Sequence, residues 1–135
     1  MVPRRTSEVS DQVREIYAGL GSRDPERTAR TCREDVTVHV AGSHPLSGTY
    51  VGVPAVRDLF ARIEAAAGRG TFTVTGLMAD DDERELLVEA CVAHRGFVRT
   101  IVHRLVLCEG RLAALHEHPM DQAAENEFWR GLLPS

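Results

Sequence analysis

Val36–Phe60, VTVHVAGSHPLSGTYVGVPAVRDLF, is the stretch whose reading decides the fold. Val36, Val38 and Val40 alternate with Thr37 and His39, the period-two pattern of a strand. A polar loop rich in Gly, Ser and Pro is expected over Gly42–Tyr50. Val53-Pro54 then opens a helix with Val56, Leu59, Phe60, Ile63 and Ala67 on one face. Two helical segments precede this unit, and four strand-like segments and a short helix follow it. That order predicts an α+β cone: a curved mixed sheet packed on three helices from the N-terminal half around a central cavity, with a short C-terminal helix.

The first helix is expected from about Ser7 to Leu20. Val9, Val13, Ile16, Tyr17 and Leu20 fall on one face, Thr6 or Ser7 serves as cap, and Gly19 and Gly21 act as the stop. Asp24-Pro25 pairs an acidic N-cap with proline at the first helical position. It predicts a second helix to about Arg33, burying little beyond Ala29 and Cys32. Downstream, strands are expected over Thr71–Ala79, Leu86–Ala93, Phe97–Cys108 and Arg111–His118. The acidic tip Asp80–Glu83, His94-Arg95-Gly96 and Glu109-Gly110 are the turns between them. Pro119 ends the last strand. Asp121 caps a terminal helix whose Phe128 and Trp129 pack over the sheet edge or the cavity mouth.

The 135 residues read as one domain spanning 1–135, with 43% hydrophobic and 27% charged residues, a soluble globular composition. The net charge of -4 speaks against nucleic acid as a partner. No apolar run approaches the roughly 20 residues of a membrane span. The start, MVPRRTSEVS, lacks the apolar core of a signal peptide, so the cytoplasm is the expected location. Cys32, Cys91 and Cys108 form no C-x-x-C pair and are expected as buried free thiols. All 16 basic residues are arginine. Without a lysine amine there is neither Schiff-base chemistry nor a phosphate-binding G-x-x-x-x-G-K-[ST] loop. Phe97–Cys108 is apolar on both faces, with Ile101, Leu105 and Leu107 on one and Val98, Val102 and Val106 on the other. One face suits the cavity; the other needs a cover, and a second copy of the chain is the simplest.

Val38–Gly42, Pro45–Tyr50, Leu105–Leu112 around the Glu109-Gly110 turn, and Asp121-Gln122 with Glu127-Phe128-Trp129 carry a resemblance. Together with the element order, they resemble the nuclear transport factor 2-like superfamily, and within it the SnoaL-like polyketide cyclases and their ketosteroid isomerase relatives. The resemblance covers nearly the whole chain. It implies a cofactor-free enzyme that cyclises, isomerises or dehydrates a hydrophobic carbonyl compound, working without metal. Ketosteroid isomerases place an aspartate base near the end of the first strand, where this chain has Val40-Ala41. Their acid on the penultimate strand, an oxyanion donor, corresponds to His103, and their helix-one tyrosine falls near Ile16, next to Tyr17. Polyketide cyclases of the group also use an acid–base residue on the penultimate strand, again at His103. Of the Asp–Arg–Asp set of limonene epoxide hydrolases, Glu117 matches the last-strand carboxylate, while Glu89 and Cys91 stand near the other two.

His103, between Ile101 and Leu105, is either a bonded core histidine or a proton shuttle. Glu117 is either its partner across the strands or a rim carboxylate. Tyr17 and Arg99 are candidate donors to an oxyanion or a substrate carboxylate. Val40, Phe60, Ile101, Leu105, Leu115, Trp129 and His39 are expected to contact a hydrophobic small molecule. His44 is expected to be exposed. His116 and His118 form an H-x-H pair that could bind metal with His39, but the resemblance points them away from the cavity, so no metal is expected. Two other readings stay open: a binding module that holds an apolar ligand without turning it over, and an epoxide-opening hydrolase.

Overall fold

The computed structural model describes residues 6–133, with side chains from Glu8 onward; the capping roles expected of Thr6 and Ser7 lie outside the described side chains. Four helices and six strands make up the described residues, in the order α1 (Thr6–Leu20), α2 (Pro25–Thr31), β1 (Cys32–Val40), β2 (Gly48–Val51), α3 (Val53–Ala67), β3 (Thr71–Ala79), β4 (Glu85–His94), β5 (Phe97–Cys108), β6 (Arg111–Pro119) and α4 (Gln122–Leu132).

The apolar stripe of α1 is buried through Val9, Val13, Ile16 and Leu20. Gly19 does not stop this helix. It is the contact point with α2, where a Cβ would run into the Thr31 hydroxyl. The Asp24 carboxylate accepts from the Glu26 N–H and caps α2 with Pro25 in the first turn. That helix ends at Thr31, two residues short of the expected Arg33, because Cys32 already pairs with Leu112 of β6. Its buried residue is Thr28 rather than Ala29: the Thr28 hydroxyl donates to the Gly19 carbonyl at 2.9 Å and ties the two helices together.

The sheet runs β2-β1-β6-β5-β4-β3, and its end strands do not pair with each other, so it is curved but unclosed. β1 and β6 are parallel and the other neighbours antiparallel, which makes it mixed. Strand β2 takes up the end of what reads as the loop Gly42–Tyr50 and runs on to Val51. It is short and mostly exposed, so no alternation marks it; pairing with Thr37–Val40 of β1 makes it a strand. Register shifts in β1, β3 and at the β5–β6 hairpin bend the sheet around the helices. The last of these breaks the simple alternation of β6. Ala113 is the extra residue, so Leu112, not Ala113, shares the inner face with Leu115 and Glu117.

Inner-face Leu86, Val88, Leu105, Leu107, Leu112 and Leu115 join α1, β1 and α3 residues in one core. The outer face of β5 is more open: Val98 is 63% exposed, and Val102 and Val106 are partly covered. The cysteines divide, since Cys32 is buried, Cys91 intermediate and Cys108 exposed at the end of β5, where Arg33 donates to its sulfur. Leu105 has no exposed surface. Leu105→Ala is expected to lower unfolding free energy by about 2–5 kcal/mol, because the close-packed neighbours collapse only partly around the gap. Urea unfolding followed by circular dichroism measures this, with the slope unchanged if only the native packing is affected.

Candidate active site

The inner face of the sheet and the facing sides of α1 and α3 enclose a cavity of about 1880 Å³ that widens to an open mouth. That exceeds the roughly 300–1,000 Å³ of an ordinary ligand pocket. About half of the lining residues are aliphatic or aromatic, and many polar side chains interrupt them, among them Arg14, Arg23, Arg27, Arg57, Arg69 and Arg99.

The central group is set by strand register. His103 on β5 and Glu117 on β6 are directly opposite each other on the inner face. The His103 Nε2 lies 3.6 Å from Glu117 Oε2, with the two side chains 9% and 21% exposed. This is an ion-pair distance and too long for a direct hydrogen bond. Helix α1 supplies the third member: Tyr17 Oη lies 2.8 Å from His103 Nδ1, and the Phe72 ring packs against Tyr17 with centroids 4.5 Å apart. Burial, and then the Glu117 charge, push the Tyr17 phenol above the ordinary tyrosine value. Where the phenol donates its O–H to Nδ1, the neutral imidazole carries its proton on Nε2, facing Glu117. Burial pushes the Glu117 carboxyl up, but His103 beside it and, with smaller effect, Arg99 and His44 outweigh that, and the net shift is downward.

Arg99, two positions before Ile101 on the same face, belongs to a second polar group. Its Nε lies 2.9 and 2.7 Å from the two Glu125 carboxylate oxygens, and Trp129 donates its indole N–H to Glu125 at 3.0 Å. His94 Nδ1 lies 3.2 Å from the Arg99 guanidinium; burial and the Arg99 charge lower the pKa of that imidazole, so Nδ1 is the acceptor. The Phe97, Phe128 and Trp129 rings surround the guanidinium carbon at 5.3, 5.8 and 5.8 Å. Arg99 is 11% exposed and Glu125 1%. Burial raises the Glu125 carboxyl, with Arg99 and the Trp129 N–H working against it.

Residues 13–119 match the family model of the SnoaL-like domain. The chain belongs to the SnoaL-like family. No curated protein matches it in sequence. Among solved structures, Bal32a from a soil-derived mobile gene cassette superposes with a TM-score of 0.79 at 23% identity, over 92% of this chain and 98% of that one. TerC, co-crystallised with polyporic acid, gives 0.72 at 19% identity over 93% and 98%. A putative polyketide cyclase from Sinorhizobium meliloti gives 0.67 at 20% identity over 85% and 100%. At these identities the likeness establishes the fold, the nuclear transport factor 2-like cone expected from the element order.

Within this SnoaL-like domain the expected site residues divide. Tyr17, His103, Glu117, Arg99, Val40, Phe60, Ile101, Leu115 and Trp129 all line the one cavity. Leu105 does not; it lies beneath the wall, fully covered in the core. His39 points the other way. Val38 and Val40 take the inner positions of β1, so His39 stands on the outer face, bonded to Thr49 Oγ1 at 2.9 Å and stacked on His116 at 4.2 Å. Glu89 is likewise outward, accepting from the Thr75 hydroxyl. No group of three or more metal-binding side chains is assembled among the described residues.

His44 is not exposed as expected. The His44–Ser47 turn, with Pro45 at its second position, closes through the Ser47 N–H to the His44 carbonyl at 2.9 Å. Asn126 and Arg130 of α4 hold the adjacent Ser43. Gly42, at φ +98°, lets the loop approach Gln122 and Asn126 so closely that a Cβ would not fit. The turn is thereby folded inward, leaving His44 8% exposed, near the Trp129 ring and in the cavity wall. Glu125 also escaped the sequence reading, although an acid one turn before Trp129 on the apolar side of α4 was a signal.

Glu117 has a folded-state pKa below its ordinary value, so its ionisation favours the folded chain. That stabilisation is complete above the unfolded carboxylate value of about 4.3 and is lost as pH falls through the lower folded value. The stability of the wild type relative to Glu117→Gln is therefore expected to be greatest near neutrality and to shrink in acid. Denaturant titrations from pH 7 to pH 3 measure the difference; a gap that widened in acid would mean the buried carboxyl is held neutral.

Proposed function

We propose that this SnoaL-like protein is a cofactor-independent enzyme that rearranges a hydrophobic carbonyl compound by general acid–base catalysis: cyclisation, isomerisation or dehydration. The observation that carries this reading is the Tyr17–His103–Glu117 chain in the cavity. Glu117 and Tyr17 both keep surface in the cavity, and Glu117 is the one that can act as a base. As a carboxylate it takes a proton from the carbon beside the substrate carbonyl and returns it at a second carbon or at a departing hydroxyl, so protons balance over the cycle. His103 turns its Nε2–H toward the carboxylate, and Tyr17 holds the ring in that tautomer. The apolar part of the wall favours a bulky, largely hydrophobic substrate. The fold-level likeness to a putative polyketide cyclase and to TerC with its bound polyporic acid is compatible with substrates of this class.

The test needs no natural substrate. In heavy water, 2-tetralone exchanges the hydrogens next to its carbonyl, and the exchange is followed by proton NMR. The wild type is expected to accelerate exchange over buffer, and Glu117→Gln to reduce the acceleration by about 10²–10⁴-fold, with tetralone affinity kept. Binding without accelerated exchange would instead favour the module that only holds an apolar ligand. One observation favours a second enzymatic reading, epoxide opening: Arg99, ion-paired with Glu125 at 2.7 Å, lines the same cavity as Glu117, an acid–arginine–acid set. Incorporation of labelled water oxygen into a diol separates that chemistry from carbonyl rearrangement.

The outer sheet face exposes Met78, Leu87 and Val98. We propose a second copy of the chain as its cover. Light scattering is expected to give twice the 14.9 kDa chain mass, and Val98→Glu to shift it toward the monomer. A monomeric wild type at micromolar concentration would reject the dimer.

A further inference from the structure

We infer that Arg57 is an anion anchor at the cavity mouth: the site takes a hydrophobic compound that carries a carboxylate, with its apolar body inside the cone and the carboxylate on the Arg57 guanidinium. This assignment rests on the cavity being the site of a hydrophobic small molecule, and it names the class of that molecule.

Helix α3 sets Arg57 and Glu64 two turns apart on one face, and both line the cavity. Arg57 is partly buried, and its Nη2 donates to the Arg23 backbone carbonyl at 2.8 Å. That acceptor is neutral. It fixes the guanidinium without cancelling its charge, and no carboxylate among the described residues lies within ion-pair distance of Arg57. The other arginines of the lining have acidic partners. Arg14 pairs with Asp11 at 3.2 Å, Arg27 with Glu15 at 3.7 Å and the deep Arg99 with Glu125 at 2.7 Å. Arg23 and Arg69 share the single carboxylate of Glu64, at 3.4 and 3.6 Å. Both of these side chains are 86% exposed, which puts the group at the rim.

The guanidiniums of Arg23, Arg57 and Arg69 thus meet two lining carboxylates, Glu64 and Asp58, and one positive charge is left over. Its sign is opposite to the net charge of -4 on the whole chain. An approaching anion is repelled by the acidic surface at large and drawn to this rim. A single surplus charge matches a carboxylate better than a phosphate dianion. The geometry of the donor fits as well. The Arg23 carbonyl takes one of the five N–H groups of Arg57, and a planar fork with free N–H groups suits the two oxygens of a carboxylate. Phe60 and Ile63 of the same helix line the cavity too, so one molecule meets both charge and apolar contact there. At about 1880 Å³ the cavity has room for a body that reaches inward to Glu117 while its anionic end stays at the mouth.

Binding measurements on the resting protein test this without turnover. Calorimetric titration at pH 7 and low salt compares decanoate with 1-decanol, which share an apolar chain, below their aggregation concentrations. Decanoate is expected to bind about tenfold more tightly, and the margin to shrink at high salt. Arg57→Gln is expected to remove most of the margin by weakening decanoate while decanol affinity stays within about twofold. Arg57→Lys, which keeps the charge without the fork, is expected to keep part of the margin. Near-ultraviolet circular dichroism checks that each variant is folded, and the lysine variant replaces the glutamine one if that one is not. Decanoate that does not bind, a wild type with no margin over decanol, or a margin unchanged in the folded Arg57 variant overturns the anchor. Decyl phosphate that binds more tightly than decanoate overturns the carboxylate class. Tetralone carries no anionic group, so its exchange tests the carbonyl chemistry separately. Exchange without decanoate selectivity removes the anchor alone, and selectivity without exchange removes the chemistry alone.

Discussion

The pairing of β5 with β6 is the constraint on which the cavity depends. It sets an imidazole and a carboxylate opposite each other on the concave side of the sheet, among the aliphatic side chains of Ile101, Leu105 and Leu115. Cross-strand neighbours on one face of an antiparallel pair lie about 4.5–5.5 Å apart at Cβ, so His103 and Glu117 meet without any loop having to order. The bulge at Ala113 matters for the same reason. It reverses the inside–outside alternation near the hairpin and lets both Leu112 and Glu117 face inward.

Buried polar groups in the cavity wall need partners, and the structure supplies them in two sets. Tyr17 completes the first from the helical layer, linking α1 to the sheet through one hydrogen bond to His103. Glu125 and Trp129 complete the second from α4, closing the end of the cone over Arg99. These sets differ in how they meet a ligand. Arg99 is enclosed by its carboxylate and by three aromatic rings, so its charge acts across the cavity rather than by contact. Glu117 keeps a fifth of its surface and can meet a ligand directly. The β1–β2 loop lies beside the second set, because α4 holds its Ser43 end while His44 folds into the cavity wall near Trp129.

The order and kind of the elements were legible from the chain because period, caps and turn residues are local. The alternation of Val36–Val40, the Asp24-Pro25 start and the Glu109-Gly110 turn each act within a few residues. The same locality explains the misses. Gly19 looks like a stop until Thr31 is brought against it. Strand β2 exists only as an edge paired to β1, and His39 and His44 have similar polar neighbours yet face opposite sides of the sheet.

By itself the sequence determined the α+β cone, the grouping of Arg99, Ile101 and His103 on one face of β5, and the placing of Tyr17 on the first helix. Periodicity is enough for that, since a side chain's face follows from its position in a regular element. Only the tertiary structure decided that Arg99 is taken up by Glu125, that the His44 loop folds inward, and that the parity of β6 changes at Ala113. Those outcomes depend on contacts between residues far apart in the chain, where burial and unmet hydrogen bonds, not local pattern, select the arrangement.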